Sequence, residues 1–387
     1  MYTLSLVLII SISTLAEYYF GMTYRLYLQA EQKTYITSII QMIGYILNTL
    51  TIIVLVKCNA SIQAVKLASS IIFVLRPIVQ NIYVKKKYNI NLKDADKDYQ
   101  LKQKWDGLAQ HIAAVIHSNT DVTILTFFTK ITEVSVYSVY YLVVKGINSI
   151  IQAFTGGIDA SFGDMIAKGE QEQLNKSFKT YELFYYTITT IAYICTAILI
   201  IPFVEVYTFG ITDDANYIRP VFATLLVLSE FVWAIRLPYS SITLAAGHFK
   251  ETRKGAWIEA ISNITISLIF VWKYGIVGVA IGTLVAMVIR TVEFVYHTNK
   301  YILKRKQSES AIRFGIIAVQ VIVVTLLSKL LPTFEFTNYF IWIKYACMVL
   351  ILTLMIVLPI NLIVYRKDAK ELLDIIKRNI FRKKETN

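Results

Sequence analysis

The run WIEAISNITISLIFVWKYGIVGVAIGTLVAMVIRTVEFVYH, residues 257–297, decides the fold. It holds two apolar stretches, 257–272 and 275–297, separated only by Lys273 and Tyr274. Each approaches the roughly 20 residues that cross about 30 Å of hydrocarbon at 1.5 Å per residue. So short a link predicts a tight hairpin of two membrane helices, and Gly278 and Gly282 in the second arm form a GxxxG that lets helices approach closely. Working outward, comparable runs fall at 2–20, 36–56, 62–83, 107–128, 134–158, 181–203, 218–245, 311–331 and 339–365. With the hairpin this makes eleven spans, and the expected fold class is an all-α polytopic membrane protein.

Composition agrees. The 387 residues are 56% hydrophobic and 17% charged, with a mean hydropathy of +0.55, more apolar surface than soluble cores of ordinary size hide. The net charge of +13 does not point to nucleic acid, because the basic residues lie between apolar runs, where they meet anionic headgroups. Residues 1–20 lack a basic leader and a small-residue cleavage site, so they read as a first membrane helix. Three scattered cysteines and four histidines indicate no disulfide framework and no metal site, and nothing calls for a cofactor.

Charge orients the spans. With the C-terminus in the cytoplasm, 28 of the 39 Lys and Arg fall on the inside segments and six on the outside ones, as positive residues are retained inside. The protein is thus expected in the cytoplasmic membrane with 84–105, 246–256 and the tail inside and 204–217 outside. A reporter-fusion map finding the tail outside would reverse this topology. The odd number of spans leaves Met1 outside, which predicts helices in front of it.

The charged stretch 84–106 reads as a cytoplasmic linker between helical lobes 1–83 and 107–297, and 298–310 as a cytoplasmic loop before a helix pair at 311–365. In the basic tail, 366–387, Ala369, Leu372, Leu373, Ile376 and Ile380 share one face, the pattern of a helix on an anionic membrane surface.

Polar residues inside the spans mark candidate function. In the fifth span Tyr137, Tyr141, Lys145, Asn148, Gln152 and Asp159 follow helical spacing along one face, with Lys145 near mid-depth. The second span adds Thr37, Gln41, Tyr45 and Asn48, the third Ser69, Arg76 and Gln80, and the fourth Gln110, His117 and Asp121. The seventh carries Ser229, Glu230, Trp233, Arg236, Ser240 and Thr243, with Pro238 expected to bend it. Arg290 has Glu293 three residues on, a natural partner. The expected cavity sets Arg76, Lys145 and Arg236, with Arg290 as a further candidate, against Asp121 and Glu230. Being net cationic, it is expected to take an anionic cargo, its acids either neutralising these cations or carrying coupling protons.

LAAGHFKET at 244–252, IEAISNITISL at 258–268, GIVGVAIGT at 275–283 and NTDVTILTFF at 119–128, followed by VSVYSVYYLV at 134–143, resemble the polysaccharide repeat-unit flippases of the multidrug, oligosaccharidyl-lipid and polysaccharide exporter superfamily. The resemblance implies two six-helix lobes with two added helices, and 1–83 then corresponds to the second half of the first lobe, with three helices absent before it. It further implies transport without covalent chemistry of an undecaprenyl-pyrophosphate-linked oligosaccharide, with membrane lipid and the polysaccharide polymerase machinery as partners. Two other readings are a cation-coupled drug exporter and an inactive truncated family member. A third, a membrane glycosyl polymerase, calls for a large outer loop, and the longest here spans about fifteen residues.

Overall fold

The computed structural model describes residues 2–88, 103–153, 158–212, 214–332, 334–372 and 374. Every regular element among them is helical. Tyr2–Ala16, a π-helical turn at Glu17–Gly21 and Met22–Ala30 run on as one rod, α1. Next come α2 (Thr34–Lys57), α3 (Ile62–Lys87), α4 (Lys104–Phe128), α5 (Ile131–Ala153) and α6 (Ile158–Lys168). The remainder are α7 (Gln171–Tyr207), α8 (Pro220–Ala245), α9 (Phe249–Tyr274), α10 (Ile276–His297, prolonged by a π turn at Thr298–Ile302), α11 (Gln307–Ser328) and α12 (Tyr339–Val364). Ten of these rods are long and apolar enough to cross a membrane. The chain is thus an all-α polytopic membrane protein.

The count differs from eleven at α4, whose 25 residues suffice for a crossing but whose polar stripe lowers its hydropathy. Helix ends differ more. Residues 159–180, between the fifth and sixth expected spans, hold most of α6 and the first turns of α7, and α3 continues to Lys87. Apolarity marks where lipid lies, whereas a helix continues past it wherever side chains allow. Asp159, expected at the end of the fifth-span stripe, instead lies on α6, because α5 stops at Ala153. Residues 366–372 are helical, with Ala369 buried. Leu373, Ile376 and Ile380 of the expected amphipathic face lie outside the residues described here.

Two compact units divide the chain: Met1–Leu101 with Gly156–Ser161, and Lys102–Thr155 with Phe162–Asn387. In the first, α3 packs between α1 and α2. In the second, α9 and α10 form the expected hairpin, turning on Gly275, whose φ of 54° is open to glycine at no steric cost. The GxxxG lies in the contact. A Cβ on Gly278 would fall 2.3 Å from the Phe270 carbonyl oxygen, and one on Gly282 would fall 2.2 Å from Ser267 Oγ.

Candidate functional site

Four clusters of charged and polar groups bear on function in the second unit. The first surrounds Asp121 on α4. Thr283 of α10 donates to its carboxylate, with Oγ1 2.8 and 3.0 Å from the two oxygens, and Tyr137 of α5 donates at 3.3 Å. Asn263 of α9 donates to Thr283 at 3.0 Å, while its own Oδ1 is buried without a partner. One carboxylate among hydroxyl and amide oxygens suits a proton or a hard cation, not a transition metal. Among the described residues no three His, Cys, Asp or Glu converge as a metal centre.

The second cluster centres on Asn148 of α5. Its Nδ2 donates to Glu230 of α8 at 2.7 Å, and its Oδ1 accepts from Tyr193 of α7. One helical turn before it stands Lys145, exposed, with its ammonium 5.8 Å from the Tyr141 ring centroid. Tyr141 stacks in turn on Tyr137, centroids 5.4 Å apart. The stripe read along α5 is therefore a real face that joins the two clusters, and Gln152 lies exposed further along the same helix. Among the described residues no carboxylate lies within ion-pair distance of Lys145.

Arg236 and Arg290 belong to a third cluster that sequence reasoning did not assemble. Glu259 of α9 accepts from Arg236 Nη1 at 2.7 Å and lies 3.3 Å from Arg290 Nε. Arg290 also pairs with Glu293, donates to Thr252 O at 2.8 Å and reaches Gln110 Oε1 at 2.5 Å. His117 lies within electrostatic range of Glu259 and Arg236, its Nδ1 shielded from solvent and unpartnered. Two arginines meet two glutamates here, so Arg236 and Arg290 are neutralised where they stand. The expected excess of cations is therefore not found in this unit: of its candidate cations only Lys145 is left unpaired among the described residues, against two acids, Asp121 and Glu230. A lone acid in the apolar run IEAISN was the signal for Glu259, but no spacing rule links it to Arg236 on another helix.

The fourth cluster lies where α11 and the segment after α12 meet the bundle. Glu182 of α7 is fully buried, accepts from both terminal nitrogens of Arg305 at 3.0 Å and from Tyr239, and lies 3.4 Å from Arg313 Nη1. Arg313 extends the chain to Asp368 at 2.9 Å. Arg305 lies outside the spans; burial opposes its charge, but the Glu182 carboxylate more than offsets that and raises its pKa. Both arginines are thus paired inside the protein.

In the first unit Arg76 lies across Gly44, with its guanidinium 4.1 Å from the Phe73 centroid and 5.0 Å from that of Tyr45. Two rings hold it on their faces, which leaves the edge of the guanidinium for an anion.

No family model and no curated protein matches the sequence. Among solved structures the chain is similar to one described as "Lipid II flippase MurJ, inward closed conformation", with a TM-score of 0.57 at 16% identity. The match covers 87% of this chain and 68% of that one. The likeness is one of fold.

Proposed function

We propose that this protein is a flippase that carries an undecaprenyl-pyrophosphate-linked oligosaccharide across the cytoplasmic membrane for cell-surface polysaccharide synthesis. The observation that carries the reading is Lys145, an exposed cation midway along a membrane helix with no carboxylate within ion-pair distance among the described residues. A lone ammonium at that depth costs roughly 2.5–3.5 kcal/mol on insertion scales, so a hydrated path or an anionic ligand must meet it. The pyrophosphate does so through charge-assisted hydrogen bonds, with Asn148, Tyr141 and Gln152 offering polar contacts to the sugars. Within the first unit, Arg76 offers an anion a separate contact. Asp121 and Glu230 take the coupling cation, and the face opens alternately to the two sides of the membrane. The fold shared with a lipid II flippase supports this reading. Transport needs no covalent step, and membrane lipid and the polysaccharide polymerase machinery are the partners on this view.

Purified protein in liposomes carrying an undecaprenyl-pyrophosphate-linked oligosaccharide tests it, with a lectin outside to report sugars arriving at the outer leaflet. The expected result is lectin binding well above that of protein-free liposomes. Equal binding in both would end the proposal. A second reading, a cation-coupled drug exporter, gains from the pairing of Arg236, since Asp121 and Glu230 then outnumber Lys145 on the shared face. Movement of ethidium without movement of the lipid-linked sugar would select it.

A further inference from the structure

At residue 17 the first unit places a carboxylate at the middle of a membrane helix and leaves it uncovered. Glu17 lies midway along the candidate span Leu4–Ala30. Its partner is Arg25, with Nη1 3.4 Å from Oε1, and the two side chains are 49% and 54% exposed. Arg25 belongs to α1 and lies five residues from the end of that span. An arginine so close to a helix end and facing lipid would extend to the headgroups. This one reaches inward, toward mid-depth, where the cost of charge is greatest.

The π-helical turn makes the pairing. Eight residues of α-helix turn through roughly 800°, which leaves residues 17 and 25 about 80° apart. The wider turn at Glu17–Gly21 adds less rotation per residue and brings them toward one face. The bulge is held from behind by α3. A Cβ on Gly21 would stand 3.1 Å from that of Pro77, and Gln80 Nε2 donates to Gly21 O at 3.4 Å. In front it presents Glu17, Tyr18, Tyr19 and Phe20 in succession, all exposed. Ser11, Thr14 and Gln29 continue a polar stripe on the same rod.

We infer that Arg25 is a recognition cation for the phosphate of the lipid-linked cargo, and that Glu17 is its resident anion, which the phosphate displaces. This rests on the proposed function and adds a ligand to it. The carboxylate holds Arg25 by one contact at 3.4 Å, with both side chains about half exposed, and a pyrophosphate offers more charge and more acceptor oxygens. With the site empty Glu17 keeps the arginine from standing alone.

Binding of undecaprenyl pyrophosphate, with undecaprenol as the uncharged control, to the full chain in phosphatidylcholine nanodiscs tests it by native mass spectrometry. Arg25→Gln should weaken pyrophosphate binding about tenfold and leave undecaprenol unchanged. Glu17→Gln, which removes the competitor, should tighten it. Arg25→Lys should keep part of the affinity. If Arg25→Gln does not fold, the neutral double variant Glu17→Gln/Arg25→Gln replaces it and should bind about tenfold less well than Glu17→Gln alone. Opposite signs support the inference, because loss of a merely structural pair would move both variants in one direction. Any other pattern overturns it while the proposed function stands. A parent chain that binds the two lipids equally overturns both.

Discussion

Glu182→Gln should remove most of the folded protein from the membrane, whereas Glu133→Gln should leave it nearly unchanged. Both residues accept from arginine, and burial separates them. Glu133 and Arg219 form a pair at 3.0 Å whose side chains are 25% and 37% exposed, so water takes over when it breaks, and such pairs contribute about 0–1 kcal/mol. Glu182 has no exposed surface and holds Arg305, Arg313 and Tyr239 at once. The amide keeps the shape but removes the charge and substitutes a donor for an acceptor, which strands guanidinium groups away from water. Breaking a buried pair this way costs about 3–5 kcal/mol, a large share of a total stability near 5–15 kcal/mol. Membrane protein level and the melting temperature in detergent read the effect. Tyr239→Phe removes the hydroxyl that contacts Glu182, Ser310 and Arg305 but no charge, so it should fall between the two. If Glu182→Gln melts like the parent, the cluster is not what anchors α11 to the bundle.

The difference between these glutamates also shows what the sequence could and could not tell. Helices that cross lipid were legible because every backbone polar group must be satisfied within the segment and every outward side chain must be apolar. The hairpin at 257–297, the GxxxG in its contact and the stripe Tyr137, Tyr141, Lys145, Asn148 all follow from composition and helical period alone. Glu182 is one acid near the start of an apolar run, and nothing around it names Arg305 or Arg313, more than a hundred residues on. Arg236 failed for the same reason. Its depth was legible, but its partner Glu259 sits on the next helix in a position fixed by packing. Arg290 fared better because Glu293 is its neighbour on one helix, within reach of a local rule. The π turn at Glu17–Gly21 had no local signature either, since it depends on Pro77 and Gln80 of α3 packing behind it.

Lys145 is the residue on which transport should depend most, and its surroundings separate binding from folding. It is exposed, its nearest aromatic neighbour is Tyr141 on the same helix, and no ion pair among the described residues would be left unbalanced by its loss. Lys145→Ala should therefore keep the parent's protein level. On the proposed function it removes a charge-assisted hydrogen bond to the pyrophosphate, worth roughly 1.5–3 kcal/mol, and cargo binding should fall about ten- to hundredfold. Delivery of lipid-linked repeat units should fall accordingly, with Lys145→Arg retaining part of it because the charge remains while the geometry changes. Arg236→Ala should behave differently. It strips Glu259 of one of two arginines, so the protein should become less stable, and any loss of export should follow the loss of folded protein. Export per folded molecule, measured for both variants, tells them apart. If Lys145→Ala exports at the parent rate per molecule, the ammonium meets no phosphate and the cargo assignment falls with it.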